Sequence, residues 1–444
     1  MKKSLRFAIA NLTQRKLGRA RVQPEVRLLS APSDDDDDKP ELFTVRPSDE
    51  IPRNKLTENL ARGLQAYVQR MQKRESFYAE LQVLEHHNWM PAPREYSTIS
   101  YCNHRCYLIG GLNFEANNEI AQMKVKANTN DSFWENINYS TDFKIGGRGR
   151  HTACTYQDKV YIYGGCYMFN RKRQIRECTS QVLVFDSIEK TYNVLRTKGI
   201  SIQPRKDHCA AIFGHTMIVY GGQFENGAVS NDLLNLDLQY NDWSRINFKQ
   251  NGVEPFYQAE CCSVNLGQKN KAVANPNDPA SITRASDQVL DGIYFFGGKH
   301  QSGQLSDKLR YLKPTVADGK IIGAEWCKMK MQGVPPCARV GHTMCFLPVN
   351  QCLIVAGGRN DKECKNMNIP FLEDMHLFLL GQKTWQAVRY IPNSRKLCKI
   401  GNHAMTVMSD GESFETIIIF GGITNFKNES TSSLDNTVFQ VEIK

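Results

Sequence analysis

Hydrophobic runs end at a Gly-Gly pair six times along this chain. One copy is "MIVYGG", which ends at Gly222. The others are "CYLIGG" at Gly111, "VYIYGG" at Gly165, "GIYFFGG" at Gly298, "CLIVAGG" at Gly358 and "TIIIFGG" at Gly422. A polar loop and a second apolar run, such as "LLNLDL", follow most of the pairs, which recur every 54 to 76 residues. Such a period indicates a repeat architecture and has to be recognised before any local assignment.

An aromatic residue follows each of the first five pairs, and a histidine precedes four of the six. The aromatic residues are Trp134, Tyr192, Trp243, Trp326 and Trp385, and the histidines are His151, His208, His342 and His403. Short β-branched and aromatic runs bounded by Gly, Asn and Asp predict about four strands per unit. Paired glycines allow positive φ and close backbone approach where a strand leaves a crowded centre. Six such sheets stacked radially bury their faces against one another.

This combination resembles the kelch family, and the resemblance covers about Trp89 to Lys444. It implies an all-β fold, a six-bladed kelch-type β-propeller, here with a helical N-terminal extension. The chain departs from the family pattern in three units: unit 1 has no histidine at the repeat position before its pair, unit 2 has Tyr192 for tryptophan, and unit 4 lacks the Arg-x-x-His approach. Unit 4 also carries a polar insertion over residues 267–288, which we expect to be a mobile surface loop.

The last unit lacks a fourth strand, because the chain ends at "NTVFQVEIK" with no tryptophan. Trp89 in "HHNWMPAPREY" is the candidate that closes the ring, so we predict a propeller over residues 88–444 with blade 6 closed by the Trp89 strand. The alternative is that Trp89 ends a preceding helix.

A helix is predicted over residues 53–87. Its apolar positions, spaced by three, four and seven, are Leu56, Leu60, Leu64, Tyr67, Met71, Tyr78 and Leu81. The apolar stripe needs a partner, which is either the side of the propeller or a helix or groove of another protein.

Residues 1–52 form a third, flexible segment of basic and acidic runs. The first 30 residues carry a net charge of +7, eight basic residues against Glu25, whereas the whole chain is +10. This basic stretch is either a mitochondrial presequence or an arm that docks on an acidic surface. The run "SDDDDDKP" that follows is interpreted as a solvated linker.

The composition favours an intracellular protein without a membrane span. No run of 18 apolar residues and no signal peptide are found, so the 14 cysteines are expected to be reduced. Adjacent Cys261 and Cys262 should point to opposite faces of a strand. Cys102, His104 and Cys106 would approach one another if "NHR" were a three-residue turn, but a structural zinc needs four ligands. We therefore predict no metal and no cofactor.

Kelch relatives include secreted copper oxidases, sugar epimerases, ubiquitin-ligase adaptors and cytoskeletal scaffolds, so the fold alone does not decide the function. No nucleophile motif, P-loop or paired-carboxylate signature stands out, and a non-enzymatic role is expected. We predict an interaction scaffold in a larger cytoplasmic assembly, preferably cytoskeletal or ciliary, that binds proteins and not nucleic acid. Alternatives are a substrate-recognition subunit of a ubiquitin ligase, a propeller enzyme or a mitochondrial assembly subunit.

Two sets of loop residues are candidates for binding an acidic partner. The residues that precede the first strands are Arg94, Arg148 with Arg150, Arg205 with Lys206, and Arg339. Those of the unit 2 loop "YMFNRKRQIRE" are Tyr167, Phe169, Arg171, Lys172, Arg173 and Arg176. Similarly placed arginines grip acidic peptides in adaptor-type kelch propellers. The alternative for the first set is a framework role, in which each arginine is hydrogen-bonded to a neighbouring blade.

Overall fold

The computed structural model describes residues 77–86, 89–113, 116–125, 131–170, 172, 174–266, 290–317, 320–360, 371–392, 394–425 and 433–444. Within these ranges the regular structure consists of strands, and most of them lie in six antiparallel sheets of four main strands. These sheets are the six predicted blades, and the all-β propeller is confirmed. The insertion at 267–288, and residues 1–52 with the start of the predicted helix, lie outside the described residues.

The four main strands of each blade follow one another from the central channel outward. Blade 1 consists of β3 (Thr98–Cys102), β4 (Arg105–Ile109), β5 (Ile120–Val125) and β6 (Asp131–Asn136). Blade 2 consists of β7 (Thr152–Tyr156), β8 (Lys159–Tyr163), β11 (Val182–Asp186) and β12 (Thr191–Val194). Blade 3 consists of β14 (Cys209–Phe213), β15 (Thr216–Tyr220), β16 (Leu233–Asp237) and β17 (Asp242–Arg245).

Blades 4 to 6 repeat this order. Blade 4 consists of β19 (Phe256–Val264), β20 (Gly292–His300), β21 (Leu309–Ala317) and β22 (Lys320–Cys327). Blade 5 consists of β23 (Thr343–Leu347), β24 (Cys352–Ala356), β25 (Met375–Leu379) and β26 (Thr384–Ala387). Blade 6 consists of β29 (Ala404–Ser409), β30 (Glu415–Asn425), β31 (Ser433–Ile443) and β1 (Tyr78–Val83).

The connector that leads into each blade also covers the outer edge of that blade. In four blades it forms a short parallel strand beside the outermost strand: β2 (Glu85–His86), β13 (Lys198–Gly199), β18 (Phe248–Lys249) and β27 (Arg389–Tyr390). Single parallel bridges, Ser140 to Thr191 and Gln332 to Thr384, do the same in blades 2 and 5. An uncovered edge strand would invite pairing with other chains, so this connector protects all six edges. The hairpin of β9 (Cys166–Asn170) and β10 (Ile175–Cys178), and β28 (Lys399–Gly401), complete the strands.

The strand that closes blade 6 comes from the N-terminal side, as predicted, but it is β1 and not a strand at Trp89. Leu81 pairs with Val441 of β31. This register is the one in which Trp134 pairs with Met123 in blade 1, so Leu81 occupies the tryptophan position of the repeat. Trp89 lies outside any strand and is 41% exposed. The prediction that Trp89 marks the closing strand is therefore wrong, because the closing strand has Leu81 at the position where other blades have tryptophan.

The helix predicted over residues 53–87 is wrong for its last third. Tyr78–Val83 and Glu85–His86 are strands, and Ala79 and Leu81 are buried at an alternate spacing. The exposed edge of β31 offers a row of backbone hydrogen bonds to a strand, and this tertiary pairing overrides the local helical pattern.

The hydrophobic core is divided into six clusters, each between two neighbouring blades. The repeat aromatic residue packs against the preceding blade: the rings of Trp134 and Phe420 are 5.4 Å apart, and those of Trp385 and Phe296 are 5.3 Å apart. Cys261 faces the cluster of blades 3 and 4 and Cys262 that of blades 4 and 5, which confirms their predicted opposite faces. None of the described ranges contains a helix of the length and hydrophobicity that a membrane crossing requires. Because the core lies between the blades, the centre of the ring remains an open channel.

Candidate functional site

The repeat histidines join neighbouring blades near the channel. The His151 Nε2 lies 3.0 Å from the Thr98 hydroxyl of blade 1, and the His403 Nε2 lies 2.7 Å from the Thr343 hydroxyl of blade 5. Burial lowers the pKa of His151 and of His403 to about 3, so both are neutral. These histidines occupy equivalent positions of the repeat and act as framework residues between blades.

The Gly-Gly pairs make room for these histidines. Gly222 has a φ of +86°, and a Cβ at this position would lie 2.7 Å from the Cβ of His208. Any other residue would combine a strained backbone with a steric clash. The Gly-Gly and histidine signals of the sequence are therefore two sides of one contact.

Arg94, Arg205 and Arg339 bind their own blades and do not form a charged rim. Each donates a hydrogen bond to the carbonyl of the first glycine of a Gly-Gly pair, at 2.9–3.2 Å. Each also meets an acidic side chain: Glu119, Asp232 and Asp374, respectively. They are 0–1% exposed. The expectation that these three arginines bind a partner is corrected, because their guanidinium groups are enclosed by the chain. Blade 4, which lacks this arginine, uses Arg310 of β21 on the Gly297 carbonyl.

Six residues with left-handed backbone surround the channel mouth, one in each blade: five lie just before the first strand of their blade, and Gln258 lies near the start of β19. They are Tyr96, Arg150, Asp207, Gln258, Gly341 and Asn402, with φ between +54° and +60°. Their backbone amides and carbonyls are hydrogen-bonded from blade to blade, for example Asp207 N–H to Arg150 O at 3.1 Å. This channel-mouth ring holds the side chains that face the opening in fixed positions. Sequence reasoning missed it, since only its Arg150 was selected and backbone handedness leaves no composition signal outside glycine.

Arg150 lies at the centre of a polar cluster in the channel-mouth ring. Its guanidinium donates to the Asp207 carboxylate at 2.9 Å and to the Tyr96 hydroxyl at 2.7 Å, and it lies 3.8 Å from the centroid of the Tyr96 ring. Its side chain remains 20% exposed. Arg150 is thus anchored but reaches the surface, unlike the buried arginines.

The unit 2 loop forms the hairpin β9–β10 on the same face. Phe169 is 41% exposed, Tyr167 and Arg176 are half-buried, and Lys172 is exposed. Arg171 and Arg173 lie outside the described residues. The Arg176 Nη1 is buried and has no protein acceptor in the described part of the chain. The hairpin therefore presents an aromatic ring beside positive charge.

The structure brings part of the two predicted sets together. Burial raises the pKa of the Cys166 thiol at the base of the hairpin, and the positive charges of Arg150, Lys206 and Arg176 partly oppose this rise. The charges of Arg150 and Arg176 likewise oppose the rise that burial causes in the pKa of Glu95, which lies beside the channel-mouth ring. Bridges from Gly149 to Cys166 and from Lys206 to Gln223 fix this arrangement. We call Arg150, Lys206, Arg176, Lys172 and Phe169 the hairpin face.

Cys102, His104 and Cys106 of blade 1 do not come together as metal ligands. Its turn has two residues, Asn103 and His104, both with positive φ, so Cys102 opposes Arg105. Cys102 and Cys106 then pack in different clusters on opposite faces of the blade. The three-residue turn that would have brought the two cysteines opposite each other is not formed. Across the described ranges, no group of three His, Cys, Asp or Glu side chains is placed to hold a metal ion.

Comparison with known proteins agrees with the fold. The KLHDC2/KLHL20/DRC7 Kelch-repeats domain matches residues 79–274 and 280–444, and thus begins within the closing strand β1. The solved structure "Structure of YjhT" superposes with a TM-score of 0.54 at 16% identity, over 80% of this chain and 98% of that one.

Curated relatives share lower coverage. Acyl-CoA-binding domain-containing protein 4 of Arabidopsis thaliana is 27% identical over 53% of this chain and 30% of its own length. The leucine-zipper-like transcriptional regulator 1 homolog of Drosophila melanogaster is 23% identical over 65% of this chain and 31% of its own length. Host cell factor 1 of Homo sapiens is 28% identical over 33% of this chain and 7% of its own length. The chain thus spans less than a third of the length of each of these relatives. With its six blades, its Gly-Gly and histidine contacts and the domain match over most of its length, the chain belongs to the Kelch-repeat family.

Proposed function

We propose that this chain is a non-catalytic protein-interaction subunit that binds an acidic segment of a partner through the hairpin face. The observation that carries this proposal is the bridge between Gly149 and Cys166, which holds the β9–β10 hairpin, with exposed Phe169 and half-buried Arg176, beside Arg150. Arg176 is half-buried, so the accessible part of its guanidinium can donate hydrogen bonds to a carboxylate of the partner.

Several contacts have to act together at such a surface. One exposed ion pair contributes only about 0.2–1 kcal/mol, so a single carboxylate would not give measurable affinity. A segment with several Asp or Glu residues can pair with Lys172, Arg176 and Lys206 at once. Phe169 adds apolar area, which is independent of salt. The binding should therefore weaken, but not vanish, as the ionic strength rises.

The relatives support an interaction role through their names. One relative is named as a leucine-zipper-like transcriptional regulator and another as a host cell factor, and neither name states a catalysed reaction. For the setting, we propose a cytoplasmic assembly of the cytoskeleton or cilium, because acidic tubulin-type tails have the chemistry that the hairpin face fits.

The direct test uses a fluorescent peptide of ten glutamates and the full chain. We expect binding that weakens with added salt and is lost in a variant with Arg171, Lys172 and Arg173 changed to Glu. The matched control reverses Lys124, Lys313 and Lys320, which are exposed residues of β5, β21 and β22 away from the hairpin. Equal peptide affinity in the two variants would mean that the hairpin is only a solvated surface.

The setting has its own experiment. Co-sedimentation of the chain with microtubules, before and after proteolytic removal of the acidic tails, should show loss of binding with the tails. Binding that is unaffected by tail removal, or absent from both samples, contradicts the cytoskeletal setting while leaving the peptide result intact.

A further inference from the structure

The central channel below the channel-mouth ring encloses a cavity of about 540 Å³. Residues of the first strand of every blade line it. This volume falls in the range of sites that hold small organic molecules, roughly 300–1,000 Å³. Of the hairpin face, Arg150 also lines this cavity, whereas Phe169, Lys172, Arg176 and Lys206 do not.

One acidic side chain in this cavity departs from the repeat. Two residues after the left-handed position, blades 1, 2 and 5 have a threonine whose hydroxyl contacts the histidine of the next blade: Thr98, Thr152 and Thr343. Blade 4 has Glu260 at this position and lines the cavity with it. The histidine that Glu260 would contact, His342, instead has its Nε2 3.1 Å from the Phe296 carbonyl. Glu260 therefore does not make the contact between blades that the threonines make at this position of the repeat.

Glu260 forms no ion pair with a basic side chain of the described residues. Its charged neighbour is the Asp207 carboxylate, which is paired with the Arg150 guanidinium at 2.9 Å, and both of these side chains also line the cavity. Its other titratable neighbours include the thiols of Cys261 and Cys262 on its own strand and of Cys345 on β23, and the cavity lining adds Arg150 and the buried histidines His151, His208, His342 and His403. Burial first, and the Asp207 charge second, raise the pKa of Glu260 to about 8. An uncompensated carboxyl in a cavity is costly to ionise until a cation arrives.

We propose that the channel binds a small alkylammonium ligand whose protonated amine is held by the Glu260 carboxylate. The Arg150 guanidinium in the lining is already paired with the Asp207 carboxylate, so a cationic ligand supplies the partner that Glu260 lacks, whereas an anion would meet the unpaired Glu260 carboxyl. The ligand's carbon chain would lie along Cys262, Cys345 and Met405, which line the cavity with soft, weakly polar atoms. When the amine binds, Glu260 ionises and its proton passes to the solvent.

The test is calorimetric titration of the full chain with n-butylamine and 1,4-diaminobutane, with n-butanol as the uncharged control of equal length. We expect both amines to bind and butanol not to bind. Glu260→Gln should weaken amine binding at least tenfold, and Glu325→Gln, on the outer strand β22 of the same blade, should leave it unchanged. Titration in two buffers of different ionisation enthalpy should show proton release in the unmodified chain and none in E260Q.

A lysine side chain carries the same alkylammonium group, so a capped Gly-Lys-Gly peptide is titrated alongside. Tighter binding of butylamine than of this peptide supports a free small ligand, and tighter binding of the peptide overturns it. Equal amine affinity for the unmodified chain and E260Q, or no amine binding at 10 mM, also overturns the proposal. Melting temperatures report folding of each variant. Charge reversal of the hairpin should leave amine binding intact, so failure of one proposal is distinguishable from failure of the other.

Discussion

The His208 Nε2 of blade 3 lies 2.8 Å from the Thr152 hydroxyl of blade 2, and His208 is only 4% exposed. The contact recurs between blades 1 and 2 and between blades 5 and 6. Each contact joins the first strands of adjacent blades at the crowded centre. The neutral imidazole is thus part of the seam between blades.

Acidification should destabilise the propeller through these histidines. The pKa of His151, His342 and His403 is lowered by burial to about 3, and that of His208 also falls well below its usual range. Because the unfolded chain binds protons below about pH 6.5 and the folded chain does not, their contribution is complete above pH 6.5 and is lost as the pH falls. Each histidine should reduce the free energy of unfolding by about 1.4 kcal/mol per pH unit below that point.

The measurement is the melting temperature between pH 7.5 and 5. The melting temperature is expected to fall steeply below pH 6.5. His403→Gln should make this fall shallower, because one proton fewer is taken up on unfolding. A flat profile over this range would contradict the role assigned to the histidines.

The closing strand is expected to decide whether the ring folds. Removing residues 1–76 should retain a cooperative unfolding transition, whereas removing residues 1–84 exposes the edge of β31 and should lower the melting temperature sharply. Leu81→Ala should cost about 2–5 kcal/mol, because Leu81 is 3% exposed. Glu85→Ala, at an exposed position of β2, is the control. Equal melting temperatures for the two truncations would refute the closure.

Arg339 should be needed for stability and not for binding. Its Nη1 donates to the Gly357 carbonyl at 2.9 Å, so Arg339→Met leaves a buried carbonyl without a donor, at a cost of about 1–3 kcal/mol. Exposed Arg395→Met should change stability by less than about 0.5 kcal/mol. Urea unfolding of both variants checks this, together with their affinity for the glutamate peptide. Loss of peptide binding by R339M at unchanged stability would restore the expectation of a partner-binding arginine.

The thiols should be reduced and slow to react. All 13 described cysteines are free, and burial raises the pKa of Cys106 and of Cys345 to about 12. Because the thiolate is the reactive form, alkylation at pH 8 should be slow in the folded chain. In denaturant all 14 cysteines of the sequence should react at once. Fewer than 14 thiols under non-reducing conditions would indicate a disulfide.

The sequence by itself determined the architecture, because the repeat is written in residues that only one geometry satisfies. Gly222 against His208 and Trp134 against Phe420 are contacts that recur with the period of the blades. Because the same pattern occurs in six units, few other folds can satisfy all of these contacts. The framework role of the histidines followed from the same regularity.

Only the tertiary structure decided the conformation of segments that depart from the repeat. It also decided which residues of one type are buried and which are exposed. β1 has a helical pattern in isolation and becomes a strand because β31 offers an open edge. Arg94 and Arg150 are the same residue type at neighbouring positions of the repeat, yet one is buried on a glycine carbonyl and the other reaches the surface. Glu260 was visible in the sequence, but its place in the channel arises only when six first strands converge and the one nearby guanidinium, that of Arg150, pairs with Asp207 instead. Local pattern encodes contacts that repeat; charge pairing and burial depend on which blades meet.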